Sequence, residues 1–524
     1  LVFDYIIVGA GSAGSVLADR LSADGRHRVC VVEAGGRDRN PLIHVPLGLA
    51  LLARTKGVNW AYETEPEAGL KGRRLYWPRG RVLGGSSSIN AMIYMRGHPE
   101  DYEGWARAAG QVWGWDRVRD LFLRLEGNTG RGAPHHGTDG PLTVSDLREV
   151  NPMSRAFIAA GVECQFPEND DFNGASQEGV GLYQVTQANG QRFSAARAFL
   201  ARAEGRANLQ LVTGAEVERV IFDGRRAVGV ALRGRELRLR EGGEVLLAGG
   251  AVNSPVLLMR SGVGPGEALR RQGVAVVHDA PEVGGNLADH LDVAVQVETT
   301  GRIAMGVAPS FLPRAVKSAW HYAVRRQGEL TSNVAEAGGF VRSSPEVTRP
   351  DLQFHFLPAL LRDHGRETAY GYGVTLHVCD LLPQSRGRIS LGADGRPRIA
   401  ANYLAAERDV RVLLAGLKIA RTIMGAPAMA RHVAREVWPG EGAEGDEALV
   451  DWIRGHAETI YHPVGTCRMG RDAESVCDPA GQVRGVEGLR VCDASLMPAI
   501  IAGNTNAPVM MMAENVADMM LGRV

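Results

Sequence analysis

Two kinds of hydrophobic pattern run along the chain, and they predict two different sheets. Residues 3–8 form a short apolar run with β-branched members. A glycine-rich turn follows over residues 9–14, and residues 15–22 then place Val16, Leu17 and Leu21 at helical spacing. Residues 29–32 are again continuously apolar. Strand, turn, helix and strand in that order predict one βαβ unit of a parallel sheet. Two more runs of the same kind lie far downstream: residues 244–248 lead into Gly249-Gly250, and residues 489–492 into Asp493-Ala494. Ligands of open α/β sheets sit at such carboxyl ends, so this layer is expected to be assembled from distant stretches of chain. Between them the pattern changes to alternation. Residues 209–233 alternate around an Asp223-Gly224 turn, and residues 351–357 and 374–402 alternate as antiparallel strands do.

The expected fold is therefore α/β (α+β overall): a Rossmann-like dinucleotide domain plus a substrate domain with an antiparallel sheet backed by helices. The first is assigned to residues 1–150, 205–300 and 455–524, the second to residues 151–204 and 301–454. A chain of 524 residues is long enough for two such cores.

Composition narrows the function. Lys plus Arg and Asp plus Glu balance at 59 each, so there is no basic excess of the kind nucleic-acid binding needs, and no nucleic-acid partner is expected. The six cysteines form no CxxC pair or zinc-like cluster, as befits buried thiols in a reducing compartment. The chain opens on a strand pattern with no basic, apolar and small-residue leader ahead of it, and its apolar runs stay below the ~18 residues of a spanning helix. A cytoplasmic location is expected. Residues 311–326 mix Leu312, Val316, Trp320 and Val324 with Arg314, Lys317, Arg325 and Arg326. The commoner origin of such a pattern is a helix packed on a core with a charged outer face; the alternative is peripheral contact with the inner membrane. His135-His136, flanked by Pro and Gly, reads as a solvated loop, and no metal is expected.

Gly9-Ala10-Gly11-Ser12-Ala13-Gly14 is a GxGxxG turn between strand and helix. Glycines there allow a tight turn and close approach of backbone to a pyrophosphate, and the helix terminus offers N–H groups to the phosphates. Glu33, with Ala34 after it, ends the next strand where an acidic group meets an adenosine ribose, which disfavours a 2′-phosphate and hence NADP. The fingerprint leaves NAD and FAD both open.

A second dense segment, residues 80–91, reads Gly-Arg-Val-Leu-Gly-Gly-Ser-Ser-Ser-Ile-Asn-Ala, flanked by Trp77, Arg79 and Met92. Small residues bordered by large ones describe chain wrapped around something flat and buried. With Glu33-Ala34-Gly35-Gly36, residues 250–255 (Gly-Ala-Val-Asn-Ser-Pro) and Gly284-Gly285-Asn286-Leu287 with Asp289-His290, it makes a set of ordered matches across the chain. The sequence resembles the glucose–methanol–choline oxidoreductases. Residues 331–340 and 351–356 resemble the bacterial alcohol and choline dehydrogenases of that family. The resemblance implies FAD as the dinucleotide and oxidation of a primary alcohol, aliphatic or aromatic. It implies cofactor contacts from Gly9, Gly11, Ser12, Ala13, Gly14, Glu33, Ala34, Arg81, Gly84, Gly85, Ser86, Asn90, Ala91, Met92, Val217, Ala248, Asp493, Ala494, Asn504 and Thr505. Some members attach the flavin to a histidine two residues before the position of Ala91. That position is Ile89 here, so non-covalent FAD is expected.

His462 and Asn506 match the family's active-site pair. The chemistry agrees: a histidine can take the hydroxyl proton at neutral pH, an amide can donate to an oxygen becoming alkoxide-like, and flavin accepts the hydride. Asn506 is also placed to cap the last helix. Glu336 reads equally as a pocket carboxylate for a cation or as a structural group. The electron acceptor is oxygen, a quinone or an artificial dye, so oxidase, alcohol dehydrogenase and choline dehydrogenase stay open, as do the hydroxynitrile lyase and photodecarboxylase chemistries the fold supports.

Overall fold

The protein is described here from a computed structural model covering residues 2–52 and 54–524. Its first sheet has seven strands in the order Leu209–Thr213, Val29–Glu33, Val2–Val8, Arg235–Leu247, Arg226–Leu232, Val217–Asp223, with Leu489–Val491 added beside Arg235–Leu247. The Arg235–Leu247 strand serves two sheet halves. Its beginning pairs antiparallel with Arg226–Leu232, and its end runs parallel to Val2–Val8 and Leu489–Val491. Ile6, Ile7, Val31 and Leu246 are fully buried, as strands covered on both faces require. The turn expected at Asp223-Gly224 joins two strands, with Gly224 at φ +58°.

The first helix begins at Ser12, earlier than its apolar spacing indicates, and runs to Leu21. Gly14 therefore lies inside it, where a Cβ would stand 1.9 Å from the Gly9 carbonyl oxygen; the glycine is what lets helix and turn touch. This helix packs on the last one, Asn506–Met520, and Arg20 pairs with Glu514 at 2.8 Å.

The second sheet has eight strands. Its main path runs Val433–Trp438, Leu291–Thr299, Gly371–Asp380, Leu352–Leu357, Ala337–Val341, Gly179–Leu182, with Gly306–Val307 and Glu458–Thr459 at its margins. All its pairings are antiparallel. Helices Pro152–Glu163 and Glu407–Gly425 cover one face, where Phe157 stacks on Phe356 at 4.8 Å. Alternation then turns His355 and Leu357 to the opposite face, and His377 stands beside His355 in register. Two strands depart from the expected partition. Leu291–Thr299 and Glu458–Thr459 belong to this sheet, although segments 205–300 and 455–524 were assigned to the dinucleotide layer. Residues 291–297 alternate Leu291, Val293, Val295 and Val297 with Asp292, Ala294 and Gln296, which is the pattern of an antiparallel strand and fits the sheet they join.

Candidate active site

A cavity of about 660 Å³ lies where the carboxyl ends of the parallel strands meet the open face of the antiparallel sheet. Val8, Glu33, Leu247 and the segment after Val491 all deliver their next residues to it. Of the residues expected at the cofactor, Gly9, Gly11, Ser12, Ala13, Glu33, Ala34, Gly85, Ser86, Asn90, Ala91, Met92, Val217, Ala248, Asp493, Ala494, Asn504 and Thr505 line it, together with His462 and Asn506. Gly14, Arg81 and Gly84 do not. Gly14 is packed against the turn, Arg81 lies over the Trp60 ring at 4.7 Å near Glu216, and Gly84 supports the loop from behind.

The strand-end part of the cavity fits a dinucleotide. The Glu33 carboxylate accepts from the N–H groups of Ala10 (2.9 Å) and Gly35 (2.8 Å), which fixes the turn and leaves lone pairs for hydroxyl donors. Gly85 sits at φ +53°, and a Cβ on it would be 2.7 Å from Gly11 Cα, so the two glycine-rich segments touch through backbone. The serine-rich loop is held from below by Arg192. This side chain is fully buried, donating to Ile43 O (2.8 Å), Ser87 O (3.1 Å) and Asn90 Oδ1 (2.8 Å). Asp493 has a different task from the ligand contact expected of it. Its oxygens accept from Gly250 N, Ser254 Oγ, Ser495 N and Ser495 Oγ at 2.6–2.8 Å. That fills the capacity of a carboxylate and braces the ends of two strands against each other.

At the other end His462 is buried, with its Nε2 3.3 Å from the amide nitrogen of Asn504. Gln353 Nε2 donates to Asn504 Oδ1 at 3.0 Å, which turns the NH2 group toward the imidazole. Asn506, the residue matched to the pair from sequence, is not the one that reaches it: Asn506 Oδ1 accepts from Ser12 Oγ at 2.7 Å, tying the last helix to the first. Nor does its side chain cap that helix, whose cap position is Thr505, without a side-chain bond. The two asparagines are two residues apart in a Asn504-Thr505-Asn506 string, and only the bend before the helix decides which one faces the histidine. His462 Nδ1 lies 3.0 Å from His290 Nδ1. Its backbone N–H donates to Asp289 (2.7 Å), which also accepts from Thr459 (2.5 Å) and Tyr403. Burial, with His290, His355 and Arg79 nearby, holds the His462 imidazole well below its ordinary range. Burial likewise lowers His290 to about 4 and His355 to about 3. The His462 imidazole is neutral at physiological pH, as are His290 and His355, and Arg79 is the charged neighbour.

Four non-glycine residues on the cavity wall have left-handed backbones: Met92 (φ 60°), Val334 (φ 68°), Asp363 (φ 42°) and Tyr461 (φ 69°). For a β-branched valine this is costly, and such strain concentrates where geometry serves a site. The sequence places Met92 at the cofactor and puts Val334, His290 and His355 inside family-like segments, but assigns no site role to Val334, Asp363, Tyr461, His290, His355 or His377.

Three other expectations are settled by position. Glu336 is structural: it accepts from Asn151 N (2.8 Å), Ser154 Oγ (2.8 Å) and Ser332 Oγ (2.7 Å) away from the cavity. His136 is buried rather than solvated, bonded to Glu126 and Asp171 at 2.8 Å each, while Glu126 also meets Arg96; Gly and Pro at its flanks shape a tight loop that folds inward. The apolar face expected to pack in the core points outward. Leu312, Val316, Trp320 and Val324 are 56–65% exposed on helix Leu312–Arg325, whose buried residues are Ser318 and Tyr322.

The GMC oxidoreductase models match residues 3–292 and 383–513, and the chain belongs to that family: it is an FAD-dependent oxidoreductase. Among individual relatives, the alcohol dehydrogenase (acceptor) of Pseudomonas putida is 55% identical, over 100% of this chain and 96% of its own length. The mitochondrial choline dehydrogenase of Homo sapiens is 41% identical, over 99% of this chain and 90% of its own. Among solved structures, pyridoxine 4-oxidase from Mesorbium loti superposes with a TM-score of 0.89 at 33% identity, covering 99% of each chain. Among the described residues no helix is long and apolar enough to cross a membrane.

Proposed function

We propose that the protein oxidises a primary alcohol, aliphatic or aromatic, to the aldehyde, with His462 as base and Asn504 as the donor to the alcohol oxygen. The observation that carries this reading is the neutral, buried His462 facing Asn504 in a cavity continuous with the dinucleotide cradle. An alcohol oxygen seated beside this pair, within hydrogen-bond reach of both His462 Nε2 and Asn504 Nδ2, gives its proton to the first and accepts a hydrogen bond from the second as charge develops. FAD, when bound, supplies the hydride acceptor. Gly9, Gly11, Ser12, Ala13, Glu33 and Ala34 hold its adenosine and phosphate part, and the Gly85–Met92 loop with Ala494 and Thr505 its ring end. Ile89 on the cavity wall offers no nucleophile, so the cofactor is non-covalent; denaturing the protein should release the yellow chromophore into the supernatant, and chromophore retained on the precipitate would reject this. The first sheet with its helices forms the cofactor domain and the second sheet the substrate domain.

Val334, Ala335, Leu357 and Leu361 give the inner cavity an apolar wall, and Glu336 is turned away from it, so an uncharged alcohol fits better than choline. The acceptor is a quinone or artificial dye, with oxygen as the alternative. The test is anaerobic stopped-flow mixing with a primary-alcohol series and choline, followed by air. Loss of the oxidised-flavin band with neutral alcohols, and slow recovery in air, is the expected result. Rapid recovery would make the enzyme an oxidase, and no bleaching by any alcohol would overturn the reading.

The outward apolar stripe of helix Leu312–Arg325 supports a second reading, peripheral attachment to an anionic membrane surface from a cytoplasmic location. Residues 311–326 carry four basic and no acidic residues, which complements such a surface.

A further inference from the structure

We propose that His290 is a positioning residue that fixes the tautomer of His462, leaving the bare ring nitrogen of the base toward the substrate. The inference rests on the reading of His462 as the base. It begins at a backbone carbonyl. Leu381 O can only accept, and His290 Nε2 lies 3.1 Å from it; that nitrogen therefore carries the proton of the neutral ring, and His290 Nδ1 is bare. The bare nitrogen is 3.0 Å from His462 Nδ1, with the two rings edge-on at 84°. Two lone pairs at that distance would repel, so His462 Nδ1 holds its proton and donates. His462 Nε2 is then the bare nitrogen.

An independent chain reaches the same nitrogen from the other side. Tyr183 donates its hydroxyl hydrogen to Phe354 O (2.5 Å) and accepts from Gln353 Nε2 (3.2 Å), and the same Gln353 nitrogen donates to Asn504 Oδ1 (3.0 Å). Asn504 is thereby oriented with its NH2 toward His462 Nε2, which must be an acceptor. Both chains end on backbone carbonyls of the antiparallel sheet and its exit, Leu381 and Phe354, and both assign the same proton positions.

The arrangement differs from a base oriented by a carboxylate. Asp289, the adjacent acid, directs its oxygens to the His462 backbone N–H, Thr459 and Tyr403 rather than to either imidazole. The other charged or titratable groups facing the pair are Arg79 and His355. With no anion on Nδ1, orientation of the base depends on the neutral acceptor His290 supplies.

The test uses holoenzyme carrying ¹⁵N-labelled histidine, with the His462 signals identified by their loss in His462→Gln. The expected spectrum has His462 protonated at Nδ1 and bare at Nε2; a proton on Nε2 in the oxidised enzyme overturns the proposal, and the spectrum is read whether or not His462 proves to be the base. Two variants add kinetics. His290→Leu removes the acceptor and is expected to lower the limiting rate of flavin reduction by roughly 10- to 100-fold, with FAD content and alcohol affinity near wild type. His290→Asn places an amide oxygen where Nδ1 was and is expected to recover most of that loss. An unchanged rate in His290→Leu, or equal losses in the two variants at equal FAD content, would reject the role. Normal turnover in His462→Gln would instead remove the base assignment and leave the tautomer result standing.

Discussion

Asn504 Nδ2 stands 3.3 Å from His462 Nε2, while the neighbouring Asn506 turns away to accept from Ser12 Oγ at 2.7 Å. The amide that can stabilise a developing alkoxide is thus Asn504. Loss of one such donor typically costs about 3 kcal/mol of transition-state stabilisation. Asn504→Ala is therefore expected to slow flavin reduction by roughly 100-fold with FAD retained. Asn506→Ala loses a bond between helices worth about 1 kcal/mol and should show itself in thermal stability or FAD retention rather than in the reduction rate. Stopped-flow reduction combined with flavin absorbance separates the two, and the reverse ranking would count against the geometry.

The pH dependence follows from the buried histidines. His462 titrates well below 6.5 in the folded protein, so kcat/KM should show no inflection near that value and stay level on moderate acidification. For stability, the unfolded chain protonates its histidines near 6.5, whereas folded His290 and His355 do so only near 4 and 3; they withdraw stability as the pH falls through that window. Burial lifts Asp289 to about 6 and Asp380 to about 7. The folded chain takes up those protons first, which adds stability as the pH falls and opposes the histidines. Thermal midpoints at neutral pH and pH 5 should therefore show His355→Leu losing less on acidification than wild type.

Helix Leu312–Arg325 places Leu312, Val316, Trp320 and Val324 on one outward stripe, with Lys317 and Arg325 exposed beside it. Flotation with vesicles rich in an anionic phospholipid should carry the wild type upward. The Val316→Glu, Trp320→Glu double variant should stay at the bottom with unaltered activity toward a water-soluble alcohol. Raised salt should weaken the wild-type association because the basic component is screened. Flotation that persists in the double variant would place the contact elsewhere.

His136 joins Glu126 and Asp171 inside the protein, where Arg96 completes the group. None of the four lines the cavity. His136→Leu leaves buried acceptors unmatched, a loss of about 1–3 kcal/mol. A lower thermal midpoint with unchanged alcohol kinetics is expected, and a wild-type midpoint would show that the network does not contribute.

The parallel layer was legible because short, fully apolar runs ending in Gly, Glu or Asp occur in few other contexts. The cofactor turn was legible because glycine spacing and Glu33 are read within one βαβ unit. What escaped depended on side-chain direction. Asn504 and Asn506 are equivalent in composition, and the bend at Thr505 separates them. The boundary at residue 300 passes over the strand Leu291–Thr299, although its alternation of Leu291, Val293, Val295 and Val297 with Asp292 and Gln296 is that of an antiparallel strand. The stripe on helix Leu312–Arg325 has the spacing of a core face, and periodicity alone carries no information about which side of a helix meets the protein.

The bond between Ser12 and Asn506 joins residues 494 positions apart, and this has a temporal consequence. At about 5–20 residues per second on the ribosome, the glycine turn emerges roughly half a minute to a minute and a half before the segment that closes the cavity over it. The cradle is therefore a half-built surface until that segment emerges, and FAD capture waits for it. A cofactor that binds only the completed cradle stabilises the folded chain by mass action, so FAD shortage should lower the amount of folded protein as well as its activity.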